Sequence, residues 1–279
     1  MRKSGSIWSA AGVLLLGAAA RLAFGQTREL IVPIVMNGIV ERPTHYQTTF
    51  TVINLSDSAV EVRIEVRDKK GNAGSVFCGP IAPLGELKQM LEAGGALHVS
   101  TSADAPLTEA WARITWSGAA AIVASAEVAL ITGEPEPCTR KCNRPSDEFL
   151  SSAFVPAVEA AREFRAPVTI TKYRHTAFAL CNPSPSETAH VRFKLLDESG
   201  NTYRGTSLSI DVPPRGRTSG MAWTFAVWCP PCARPADPPP PEMFHGSAVI
   251  TSDIPIAVGA FHTLSPEGKF VTASVASPP

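Results

Sequence analysis

Six cysteines, six histidines and a few tryptophans are the residues of this 279-residue chain whose chemistry could carry a function. Cys229 and Cys232 form a Cys-Pro-Pro-Cys pair, Cys138 and Cys142 stand four apart, and Cys78 and Cys181 are single. A Cys-x-x-Cys pair is redox-active when its first thiol opens a helix. Here Trp228 precedes it, two prolines fill it and a proline-rich run follows, which argues against that use. The two pairs could also supply four thiolates to a zinc ion, but they lie far apart in sequence, and an exported chain favours disulfides. The histidines His45, His98, His175, His190, His245 and His262 make neither HxH nor HExxH. Ser219 in GRTSG sits in the wrong slot for a nucleophile elbow, and GTSLS lacks the second glycine. Glu159, Glu163, Asp197 and Glu198 read as solvated charge, and neither a phosphate loop nor a calcium loop is present in the sequence. The expectation is a protein that is not an enzyme and needs no cofactor or metal.

Export is read from the first 25 residues. Arg2 and Lys3 precede an apolar run from Ile7 to Ala20, and Ala23-Phe24-Gly25 offers a cleavage site, with Ala20 as a second register. The run is shorter than the roughly 20 residues of a spanning helix. The expected location is secreted, periplasmic or cell-surface, with no stable membrane span once the leader is removed. Without Arg2, Lys3 and Arg21 there remain 22 basic and 25 acidic residues, interspersed, so nucleic acid is not an expected partner.

The elements that must position these residues occur twice. HYQTTFTVINLSDSAVEVRIEVRDKKGN, from His45, returns as HTAFALCNPSPSETAHVRFKLLDESGN, from His175. Phe50 answers to Phe178, Asn54 to Asn182, Ser56 to Ser184 and Gly71 to Gly200, and more weakly Gly95 to Gly216 and Trp111 to Ser247. Val60, Val62, Ile64 and Val66 alternate with charged residues, the period of a half-buried strand. The predicted organisation is a leader over 1–25, a β-sandwich over 26–132, a linker over 133–150, and a second β-sandwich over 151–279 carrying a proline-rich insert at 229–242. The second unit is expected to open on SAFVPAV and to contain TSGMAWTF, GSAVITS and IPIAVGAFHTL as separate strands. GELKQMLEAGG, from Gly85, reads as a strand ending in a glycine turn in preference to a helix.

Two antiparallel sheets packed face to face fit the pattern, because the connections are too short for helical crossovers. VPIVMNG, TTFTVINLS and AWARIT, with FVPAV, TAFALCNPS and GSAVIT, resemble the motifs of uncharacterised secreted bacterial tandem-repeat proteins. That resemblance implies immunoglobulin-like sandwiches at the cell surface or in the envelope and carries no catalytic residues. Immunoglobulin-like topology would gather Cys78, Cys138, Cys142 and Cys181 around one joint, bridged for example as Cys78 with Cys138 and Cys142 with Cys181, leaving Cys229 to pair with Cys232. Cys181 also takes the place of Ile53 and reads equally as a buried apolar thiol.

The expected role is structural or interactive: rigid sandwiches presenting loops, above all Cys229 to Met243, to a protein or polysaccharide at the cell surface. Trp111, Trp223, Trp228 and Pro239 are the candidate binding surface. A carbohydrate-binding or carbohydrate-active module using an exposed Trp is the alternative, and a periplasmic assembly chaperone a further one.

Overall fold

A computed structural model describes residues 27–72, 85–103, 106–133, 148–227, 243–264 and 269–275. Among the described residues the chain is all-β apart from one short helix, and its strands form two antiparallel sheets. The leader, residues 134–147 of the linker and the proline-rich insert, with Cys78, Cys138, Cys142, Trp228, Cys229, Cys232 and Pro239, lie outside the described residues.

In the first sheet the strands are β1 (Thr27–Glu41), β2 (Thr44–Asn54), β3 (Val60–Asp68), β4 (Glu86–Leu91), β5 (Ala96–Ser100), β6 (Thr108–Ser117), β7 (Ile122–Thr132) and β8 (Glu148–Pro156). Their order is β4-β3-β6-β1-β2-β7-β8, with β5 beside β2. β1 pairs with β6 through Asn37 and with β2 from Gly38 onward, so one strand serves two layers. Val62 and Ile64 of β3, Ile114 of β6, Phe50 and Val52 of β2 and Val128 of β7 close the core between them. The alternation on β3 is why this works. Its apolar residues are buried, while Arg63 and Arg67 turn outward to Glu86 and Glu65 at 2.7 and 3.2 Å.

The second sheet contains β9 (Ala161–Ile170), β10 (Arg174–Cys181), β11 (Ala189–Asp197), β12 (Thr202–Val212), β13 (Arg217–Met221), β14 (Phe244–Leu264) and β15 (Lys269–Val275). Every pairing of the first unit has a counterpart here. β14 meets β9 and β11 with its first part, as β6 meets β1 and β3, and meets β10 and β15 with its last part, as β7 meets β2 and β8. One 21-residue strand therefore does the work of two strands joined through the turn at Gly118.

The repeated residues are the fold's fixed corners. Asn54 donates its side-chain amide to the carbonyls of Ser58, Leu91 and Glu92, and Asn182 to those of Glu187, Val212 and Pro213. Both are wholly buried, so these bonds satisfy carbonyls that water cannot reach. Asp68 and Asp197 accept matching backbone N–H bonds across turns closed by Gly71 and Gly200, whose φ of 85° and 81° suits glycine. Thr48 grips the backbone of Met36 and Thr176 that of Thr169, each at the point where the first strand of a unit changes layers.

Three expectations are corrected. SAFVPAV does not open the second unit: its strand, β8, pairs with β7, and the counterpart of β1 is β9. Leu30 and Phe164 mark that equivalence, lying opposite Ile114 and Ile250. TSGMAWTF is not one strand, because after Met221 the chain turns into helix α1 (Ala222–Val227), which buries Ala222 and Phe225 on the second core. GSAVITS and IPIAVGAFHTL are a single strand instead of two. GELKQMLEAGG is the strand β4 followed by a glycine turn at Gly94.

Candidate functional site

The densest assembly of unusual side chains lies where the two units meet. β10 is buried along almost its whole length, on both faces. Phe178 and Leu180 enter its own core, and the opposite face, Ala177, Ala179 and Cys181, turns to the first unit. These small residues, with Ala257 and Gly259 beside them on β14, form a shallow socket.

A knob from the first unit fills it. Between Val32 and Val35 the register of β1 slips against β6, so that Pro33 and Ile34 together oppose Trp111. At the same place β9 has Pro167 alone, opposite Ser247. Such a bulge adds a residue and re-aims its neighbours. Ile31, Trp111, Cys181 and Ala257 then form a closed cluster, with Val158 against it. The Cys181 thiol donates to the Pro33 carbonyl at 3.3 Å, and a methyl group on Gly259 would stand 2.6 Å from the Pro33 ring.

Polar contacts surround this contact. The Trp111 indole N–H donates to the Arg215 carbonyl at 2.9 Å, and the Arg217 backbone N–H to that of Lys69 at 3.1 Å. The Arg217 guanidinium, almost fully buried, lies 3.3 Å from the Glu109 carboxylate, which also accepts from Ser219. Arg215 holds a φ of 56°, left-handed for a residue with a side chain, and its Cβ leaves no room for one at Gly71. Burial pushes the Cys181 thiol up to about 12, with the nearby Arg217 charge acting the other way. It is a free thiol and chemically quiet.

Trp111 cannot serve as a binding platform, because it is sealed in this joint with 1 % of its surface exposed. Trp116, five residues on, faces the first core and donates to the Ala120 carbonyl, so the two indoles do point to opposite sides of β6. Trp223 is half-buried on α1 beside the second core. Cys181 is a free, buried thiol, and its suggested partner Cys142 lies outside the described residues. The sequence signal for the joint was present in TAFALC, an unbroken apolar run that marks a strand covered on both faces.

Elsewhere the polar contacts include pairs at the surface. His190 lies on Asp211 at 2.8 Å in full solvent, which raises its pKa, while its backbone N–H holds Asp253 below the usual range. His175 and His262 are both lowered by burial, His262 also by the charge of Arg174. The register sets His175 in the place of Gln47, not of His45. One groove of about 490 Å³ runs over the charged face of β3 by Arg63 and Lys88, and another of about 320 Å³ by Lys69, Lys70 and Glu109. Neither sets a nucleophile beside a base, and among the described residues no group of three or more His, Cys, Asp or Glu could hold a metal ion. Compared with known proteins, the chain matches no family model, no curated protein and no solved structure.

Proposed function

We propose that this chain is a non-catalytic structural or interaction protein of the cell envelope or exterior, in which two immunoglobulin-like sandwiches act as one frame for variable loops. The observation that carries this reading is the joint: the units are held by a buried apolar cluster, an indole hydrogen bond and a buried arginine. A frame is useful where something is displayed on it. The insert at 229–242 is rooted at one end in α1, where Phe225 packs on Phe193 with ring centroids 5.2 Å apart, and at the other in β14. A proline-rich segment of this composition suits recognition by a protein or polysaccharide partner.

Fractionation of the producing cell tests this directly, with the full chain compared against a chain lacking 229–242. The full chain is expected outside the cytoplasm and retained on envelope material, and the deletion is expected to abolish retention while leaving the circular dichroism unchanged. Recovery from the cytoplasm overturns the reading, as does turnover of a substrate that one substitution abolishes.

A further inference from the structure

The joint uses one face of each unit, so among the described residues each unit keeps one equivalent face outside the joint. On the first unit it is the outer side of β2 and β7, and the register gives the correspondence: Thr49 stands for Ala177, Thr51 for Ala179, Ile53 for Cys181, Val123 for Ala257, Ser125 for Gly259 and Glu127 for Phe261. Every position that is small or apolar in the socket is larger or polar here. Thr49 bonds to Ser100 and Thr51 to His98 across the sheet, while Val123 and Glu127 are exposed. On the second unit the unused face is the outer side of β9, where Arg165 replaces Ile31, Ser247 replaces Trp111, and Pro167 lacks the extra residue that makes the bulge. Arg165 and Pro167 are exposed, whereas Ile31 and Pro33 are buried.

We infer that the joint is a directional, single-use lock: knob and socket fix the order of the units, and the altered faces prevent further copies from adding head to tail. Repeating a heterologous contact without closure builds filaments. Repeat arrays end in units whose outer face is polar, and here the outer faces carry Thr49, Thr51, Ser125 and Glu127 on the first unit and Arg165 and Ser247 on the second. Threonine and isoleucine in the first socket would hold an incoming knob off by a side chain's thickness. Arginine on the second knob would have to leave water to enter an apolar hole, an expensive transfer.

The test builds the missing parts in trans. One full-length variant receives the knob, with Ile-Val-Pro-Ile in place of Arg165-Ala166-Pro167 and Ser247→Trp. The other receives the socket through Thr51→Ala, Ile53→Cys, Val123→Ala and Ser125→Gly. By sedimentation velocity the parent and each variant alone are expected as monomers, and the mixture as a 1:1 dimer. Head-to-tail association of the parent through these faces, or a monomeric mixture of two folded variants, overturns the inference. Should a variant not fold, Gly259→Val in the parent decides: peptide-resolved alkylation of Cys181 is expected to rise at least tenfold as the socket is blocked, and unchanged protection refutes the lock.

Discussion

The outer faces of β2 and β10 hold equivalent places in the repeat and differ in burial, one partly exposed and the other buried. Both strands bear the same core residues at Phe50 and Phe178, the same corner asparagine and the same partners on either side. What differs is every second side chain: Thr49, Thr51 and Ile53 against Ala177, Ala179 and Cys181. In a strand, alternate residues belong to different surfaces. A duplicated sandwich can therefore keep its interior intact while one face changes from solvated surface to docking surface. The lesson is that the repeat and its departures obey different constraints, the first set by the core of each unit and the second by what the unit leans against.

Substitutions across the repeat break this comparison most sharply at Trp111. Trp111→Ser, which installs the residue the second unit uses, is expected to destabilise the protein by roughly 3–5 kcal/mol, as for a buried large-to-small change, read by urea unfolding. The exchange Ala179→Thr should cost about 1–3 kcal/mol by overpacking, whereas the reverse change, Thr51→Ala, should lie within about 0.5 kcal/mol of the parent because it touches surface. Equal effects of the two would mean that the faces are not distinguished by packing. At the joint's turn, Arg215→Gly should stabilise by about 0.5–1 kcal/mol, since glycine carries no penalty at positive φ, with Tm as the measurement.

The smallest effect concerns pH. Burial holds His175 and His262 below the ordinary histidine value of 6.5, so the unfolded chain takes up protons first as the medium is acidified. Their contribution is full above about 6.5 and is lost as pH falls from there through the lowered folded values. His175→Gln, the residue at the matching place in the first unit, should reduce the fall in Tm between neutral and mildly acid buffer; an unchanged fall would assign the effect elsewhere.

How much of this was legible in sequence follows from which forces are local. The corner asparagines, the Asp-to-Gly hairpins and the alternating strands β3 and β11 could be read because their bonds close within a turn or a strand pair. Even the distant match of Trp111 to Ser247 is upheld, each lying opposite the equivalent residue, Arg67 or Leu196. β9 was missed because FVPAV in β8 imitates IVPIV in β1 more closely than RAPVT does, although β8 serves a different edge. The candidate site was legible in its ingredients and not in its assembly. Trp111 and Arg215 are 104 residues apart, and Cys181 and Pro33 are 148 apart. No local pattern links them. The one-residue bulge that aims Pro33 at the socket is visible only once β1 and β9 are laid in register.

The unbroken course of β14 has a consequence for how the molecule comes apart. Its ladders with β9 and β11 at one end and with β10 and β15 at the other share a single backbone, so the two layers of the second unit cannot separate by opening a turn. In the first unit β6 and β7 meet through a glycine turn that can give way. Unit two should thus open as one cooperative block, with amide protons along β14 exchanging only at the free energy of global unfolding, while β7 and β8 exchange through a cheaper, partial opening.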